Sequence, residues 1–347
     1  MKAVSVSSAG ISNAMRHSQM RMQVDLVKAQ KEMDTLRVAD LGLALGSRTT
    51  QSISFARDHD RLNSIVDSNA LVNSRLKSTQ DALGQLADRV QNFLGNLTSS
   101  TAGDLTNDIT RDSARSTLDA MAAVLNTSIN GEYLFAGTNT DVKPIADFNA
   151  AGSPAKAAFD LAFFTQFGFH QNDPAASIVD AAGMDAFLDN IETQFLGTGW
   201  EANWSSATDE PIVSRIALNE TTETSVSANT TAVRKLAMAA SVVTQLMSSQ
   251  ISDEARQVLI DLSLGLVGEA LSGLGQVQSQ TGMIQQRVSD ANTRMNTQID
   301  LFNRHILDLE GVDPYEAANR VNDLMTHIQT SFALTARIQQ LSLLNFL

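Results

Sequence analysis

The sequence predicts a mainly α-helical fold, a long coiled-coil helical bundle formed by N- and C-terminal arms, with an inserted α+β middle domain. Three observations carry this. In both arms apolar residues recur at alternating steps of three and four, the spacing that keeps one stripe of a helix against a supercoiled partner. The first 140 residues and roughly the last 120 are rich in Ala, Leu, Gln, Ser and Asn and share a single proline, Pro314. Residues 141–225 hold the other four prolines, Pro144, Pro154, Pro174 and Pro211, with both tryptophans, Trp200 and Trp204, and eight of the fourteen phenylalanines, so the fold changes there.

The first seam, Met22, Leu26, Ala29, Met33 and Leu36, predicts a helix near the N-terminus. The segment LGLALG follows, with Gly42 and Gly46 in a spacing that drives dimerisation only inside an apolar membrane span; here it predicts a bend or a close helix contact. The longest N-terminal seam runs through Phe55, Asp58, Leu62, Ile65, Asn69, Val72, Leu76, Thr79, Leu83, Leu86, Val90, Phe93 and Leu97. Ten of these thirteen positions are apolar, which argues for coiled-coil packing over a rod of roughly 65 Å at ~1.5 Å per residue. Asn69 on this seam either fixes register between helices or is a tolerated exposed polar residue; the sequence leaves both open. Leu118, Ala122, Leu125 and Ile129 predict a further helix. Gly131 and Gly137 then bracket Tyr133-Leu134-Phe135, whose aromatic pair is expected to pin the start of the middle domain against the helical core.

The middle region carries thirteen Asp and Glu against Lys143, Lys156 and Arg215, a balance of -10 within the chain's -13. An acidic, solvated face is expected. Asp180, Asp185 and Asp189 lack the order of a calcium loop and read as one exposed helix face. Ile212, Ser214, Ile216 and Leu218 alternate at strand period, and the Thr-rich run to Val226 offers a hairpin partner. The C-terminal arm mirrors the first: Val233, Leu236, Ala240, Val243 and Met247 form one seam, and Val277, Thr281, Ile284, Val288, Ala291, Met295, Gln298, Phe302, His305 and Leu309 form a long one. Gly311 suits a helix end, and Asp313-Pro314 suit the cap and first turn of the next helix, whose stripe is Val321, Leu324, Ile328, Leu334, Ile338 and Leu341.

These readings divide the chain into residues 1–40, an N-terminal helix of an inner assembly layer; 41–140 and 226–311, the two halves of a coiled-coil core; 141–225, an inserted acidic domain; and 312–347, the C-terminal helix of the inner layer. The two end helices carry apolar stripes with no third layer nearby in sequence to cover them, and a single exposed amphipathic helix is marginal in water. The stripes are therefore expected to find cover in neighbouring subunits, through Met22, Leu26, Met33, Val321, Leu324, Ile328, Phe332, Ile338, Leu341 and Leu344, with ordering deferred to assembly.

Several function classes lose support. The charge of -13 disfavours nucleic acid or an anionic membrane as partner, because both reward clustered Lys and Arg. With no cysteine there is no disulfide, thiolate nucleophile or Cys-based zinc site. Residues 1–20 lack the apolar stretch of a secretory signal, and the best membrane-span candidate, Val258 to Leu274, is broken by Asp261 and Glu269. The five histidines (His17, His59, His170, His305 and His327) include no pair at helical metal-binding spacing, and His305, on the long seam, reads as a packing residue. No glycine precedes lysine, as a P-loop requires, and no G-x-S-x-G occurs. Neither enzyme chemistry nor a cofactor is expected.

Two segments resemble a known family. Asn130-Gly131-Glu132-Tyr133-Leu134-Phe135-Ala136-Gly137-Thr138-Asn139-Thr140 resembles the N-x-x-Y-L-F-A-G-T-x-T motif that ends the N-terminal helical half in the hook-associated protein 3 branch of the flagellin family. Asp313-Pro314-Tyr315-Glu316-Ala317-Ala318 and Thr330 to Leu344 are similar to the terminal helix of axial flagellar proteins, flagellins included. The family usually places a glycine before a basic residue after the first helix, where this chain has Leu36 before Arg37. The resemblance implies an extracellular subunit of the bacterial flagellum, exported through the flagellar type III apparatus, guarded beforehand by a cytoplasmic export chaperone, and assembled as a ring with copies of itself between hook-associated protein 1 and flagellin. A flagellin forming the filament itself is the alternative; it would be expected to show the flagellin N-terminal pattern between Leu36 and Ile53, which is not found. An unrelated helical protein, such as a coiled-coil signalling module or an enzyme with a helical scaffold, is the third reading.

Overall fold

The computed structural model describes residues 8–100, 104–247 and 250–344. Helices follow the seams: α1 (Ser8–Thr35), a short α2 (Leu41–Leu45), α3 (Thr49–Ser99) and α4 (Asp104–Leu125) make the N-terminal arm, and α8 (Thr231–Leu246), α9 (Asp253–Glu310) and α10 (Pro314–Leu344) make the C-terminal arm. Between the arms lie the hairpin β1 (Ser128–Ile129) and β2 (Glu132–Tyr133), helices α5 (Pro154–Phe167), α6 (Ala181–Leu196) and α7 (Gly199–Asn203), and the antiparallel hairpin β3 (Val213–Ala217) and β4 (Glu220–Glu223). The fold is mainly helical with a small β component. The chain divides into two compact units, one made of the residues up to Ser64 and from Arg294 onward, the other of Ile65–Thr293.

In the Ile65–Thr293 unit one apolar core joins the second half of α3 (Leu83, Leu86, Val90, Phe93, Leu97) to α4, α5, α6, α8 and the first half of α9. Residues 141–225, expected to stand as a separate domain, have no core of their own: Phe159, Phe163, Phe187 and Trp200 belong to the same buried cluster as Leu118 and Leu236. The physical reason is that α6 packs on α8, so the aromatic side chains of the insert are covered by the helical arms. Trp200 and Trp204 stack at 5.4 Å, and the Trp200 indole N–H donates to Asn229 Oδ1 at 2.8 Å, satisfying the one polar atom that its burial would strand. None of the thirteen carboxylates of 141–225 is buried, and Asp180 caps α6 by accepting from Gly183 N at 2.8 Å.

None of the thirteen α3 seam positions is exposed, including Asn69. Its amide is wholly buried and donates to the Ile216 carbonyl at 2.8 Å and to Asn292 Oδ1 at 2.7 Å, so it ties α3 to β3 and α9. This is the register reading of that residue, and sliding either helix by one step would strand the amide. Beside it, Leu76, Ile216, Val288 and Ala291 form a second small cluster. The stretch of α9 that is apolar and long enough by composition to cross a membrane buries Leu259, Val267, Ala270 and Leu274 in the main core.

In the unit formed by the chain ends, Phe55 stacks on His305 at 5.2 Å and lies 5.8 Å from Phe302, so this histidine is a packing residue. Five seam positions are displaced. Ile129 lies in β1 rather than continuing α4, Gln298 is exposed while Ile299 takes the buried place, and Met33, Leu36 and Leu334 are exposed. Over a long helix a strict three-four step drifts relative to ~3.6 residues per turn, which accounts for the shift from Gln298 to Ile299.

Candidate assembly interface

Helices α1 and α10 pack antiparallel. Asp313 caps α10, its Oδ1 accepting from Tyr315 N at 2.8 Å, and Pro314 occupies the first turn, where a missing N–H costs nothing. At one end of the pair Gln19 Nε2 donates to Ser331 Oγ (3.3 Å) and Thr335 Oγ1 (3.2 Å); at the other, Arg320 reaches Glu32 at 2.9 Å. Ala29, Ala317 and Val321 are buried along the contact, and the two alanines allow close approach. The expectation that each terminal stripe lacks cover within its own chain is thereby corrected: the two ends cover each other along one side.

The residues expected to bind neighbouring subunits fall in three groups. Val321 is buried and Met22, Leu26, Leu324 and Ile328 are half-buried, on the helix faces turned toward each other within the chain. Met33 and Phe332 are exposed, at 38% and 52%. The side chains of Ile338, Leu341 and Leu344 lie outside the described residues.

A second apolar stripe went unread. Met20, Val24 and Val27 recur at steps of four and three, and at ~3.6 residues per turn they fall on the side of α1 opposite Met22, Leu26 and Ala29. All three are more than half exposed. The signal was present in the sequence, but Arg16 and Lys31 continue the stripe at its two ends and make it resemble a solvated face. On α10, Tyr315, Met325 and Phe332 are likewise exposed.

Where α1 hands over to α2 and α9 to α10, the two connections run side by side. Val38 N donates to the Glu310 carbonyl at 2.8 Å and Val312 N to the Leu36 carbonyl at 3.0 Å, forming an antiparallel bridge between Arg37 and Gly311. The Glu310 carboxylate, largely buried, takes the Ser52 hydroxyl and lies 3.5 Å from Arg37 Nη1. Leu36 closes α1 at φ +55°, a left-handed conformation that glycine adopts freely and a leucine adopts at a cost. It is the position where the resemblance above expects glycine.

The Tyr133-Leu134-Phe135 motif lies in the other unit. Asn130 (φ +53°) and Gly131 (φ +87°) make the two-residue turn of the β1–β2 hairpin, the left-handed pair that an Asn-Gly sequence favours. Leu134, Phe135 and Ala136 are buried, whereas Tyr133 is half-buried, so Phe135 alone of the aromatic pair is a core anchor. Phe135 O accepts from Ala228 N at 2.8 Å and Ala136 O from Thr208 N at 3.1 Å. Gly137 has φ +64°, and a Cβ there would stand 2.4 Å from the Thr208 carbonyl oxygen. Arg75 holds the hairpin from α3 through Glu132 (2.9 Å) and the Tyr133 carbonyl (3.0 Å). Among the described residues no group of three His, Asp or Glu is placed to hold a metal ion.

This arrangement defines a coiled-coil structural protein whose two ends are laid together as one helix pair. Comparison with known proteins gives the family. The model of the bacterial flagellin N-terminal helical region matches residues 6–140, and that of the C-terminal helical region matches residues 264–347. The chain belongs to the flagellin family and is a structural protein of the flagellar filament or its hook-associated parts. Proteins of this family are components of the extracellular flagellum and are not enzymes. A solved structure described as a flagellar hook-associated protein of Vibrio parahaemolyticus is similar in fold at TM-score 0.53 and 10% identity, over 76% of this chain and 97% of that one. FlgL of Bacillus cereus is similar at TM-score 0.47 and 10% identity, over 74% and 98%. No curated protein matches the chain in sequence.

Proposed function

We propose that this chain is the junction subunit of the flagellum, seated as a ring between hook-associated protein 1 and the first flagellins. The observation that carries the reading is the segment Asn130 to Thr140, in which Phe135 and Gly137 are fixed by burial and by contact with Thr208 rather than by any chemistry. Its pattern resembles that of the hook-associated protein 3 branch. The paired ends support a role for residues 1–40 and 312–347 as an inner assembly layer, because a two-helix pair leaves Met20, Val24, Val27, Met325 and Phe332 for neighbouring subunits to cover. The flagellar type III apparatus would export the chain, with a cytoplasmic chaperone shielding these same faces until then. The acidic middle region favours mutual repulsion over premature clumping at low salt.

Deletion of the gene tests the reading. A strain that still makes abundant filament protein but sheds it into the medium is the expected result. Loss of the bulk filament component itself would instead make this chain the filament subunit.

A further inference from the structure

With no cysteine in the chain, methionine is the side chain open to reversible oxidation, and the twelve methionines are distributed unevenly. Met121, Met184, Met238, Met247 and Met295 are buried in the helical cores. Among the described residues those most exposed are Met283 (66%), Met20 (59%), Met325 (43%) and Met33 (38%), and all but Met283 lie on the helix pair α1 and α10. Met20 is moreover the first member of the free stripe it forms with Val24 and Val27, and Met325, one turn along α10 from the buried Val321, stands at the exposed edge of that face.

We propose that Met20 and Met325 make the terminal helix pair a peroxide-sensitive surface, whose oxidation switches off assembly. The inference rests on the reading of that pair as an assembly interface. A sulfur lone pair attacks one oxygen of hydrogen peroxide; the S–O bond forms as the O–O bond breaks, and the departing hydroxide leaves as water with the proton of the transferred oxygen. The thioether is oxidised by two electrons and the peroxide reduced. The product carries a strongly polar oxygen on an apolar surface, at Met20 the end of the stripe that Val24 and Val27 continue, and covering it in a neighbouring subunit would bury an acceptor without a donor. Methionine buried between subunits is in turn shielded, so the sensitivity belongs to the chain before it is incorporated.

The test uses the full chain and sheared flagella from cells lacking it. The chain, treated or not with hydrogen peroxide, is co-sedimented with the flagella, and its sulfoxides are mapped by peptide mass. Untreated chain should bind; treated chain should carry sulfoxide at Met20, Met325 and Met283 ahead of the buried methionines and bind at least about tenfold more weakly. The double variant Met20→Leu, Met325→Leu should bind like the parent and keep its binding after peroxide, while Met283→Leu should lose it as the parent does. The proposal is overturned if chain oxidised at Met20 and Met325 binds undiminished, or if the double variant is as sensitive as the parent. If untreated chain fails to bind at all, the assembly reading falls first and this inference with it.

Discussion

The core around Phe135 and Trp200 and the pair α1 with α10 draw on similar amphipathic helices, yet they close to different degrees. In α8 eleven of sixteen residues are buried, because α4, α6 and the neighbouring core helices cover it from several sides. In α10 only Ala317 and Val321 are buried among the described side chains, and in α1 only Ala29. A seam in a sequence therefore says that a helix has a partner, not how many. Since a fully buried large apolar side chain contributes roughly 1.5–3 kcal/mol, stability concentrates where layers accumulate, and the paired ends open at far lower free energy.

The sharpest way to break this comparison is to remove one apolar anchor from each region. Phe135→Ala, which leaves a cavity in a closed core, should destabilise the Ile65–Thr293 unit by about 3–5 kcal/mol in chemical denaturation. A loss below about 1 kcal/mol would mean that the motif is not a core anchor. Val321→Ala in the terminal pair should cost only about 1–2 kcal/mol, seen as faster amide exchange along α1 and α10 with α8 unchanged. Equal slowing or quickening in all three helices would erase the distinction. The smallest effect has the opposite sign. Leu36→Gly relieves the left-handed strain at the end of α1 while adding freedom to the unfolded chain, and a net gain of roughly 0.5–1 kcal/mol is expected, read as a small rise in the melting temperature of the terminal unit. A fall would show that the half-exposed leucine side chain contributes more than its backbone conformation costs.

Much of the architecture was legible in the residues. The α3 seam predicted thirteen positions that are all at least partly covered, and the alternation at Ile212 to Leu218 announced the β3–β4 hairpin. Asn69 was ambiguous until its two acceptors, on β3 and α9, were known, because a hydrogen bond across 147 residues leaves no periodic trace. The same applies to Gly137, whose need for glycine comes from Thr208 and Glu210. On α1 two stripes of nearly equal strength face opposite ways, and pattern alone does not say which one the chain uses for itself. The structure assigns Met22, Leu26 and Ala29 to α10 and leaves Met20, Val24 and Val27 free. The insert looked independent because its composition differs, but composition does not record that α6 lies on α8.

The bridge between Arg37 and Gly311 has a mechanical consequence. A helix joined to a body by one covalent strand turns freely about that strand's single bonds and behaves as a swivel. Here two strands pass side by side, laced by Val38 to Glu310 and Val312 to Leu36, so a twist applied to the helix pair must shear hydrogen bonds before it can dissipate as rotation. A joint of that kind transmits torque, the load that any part of a rotating shaft has to bear.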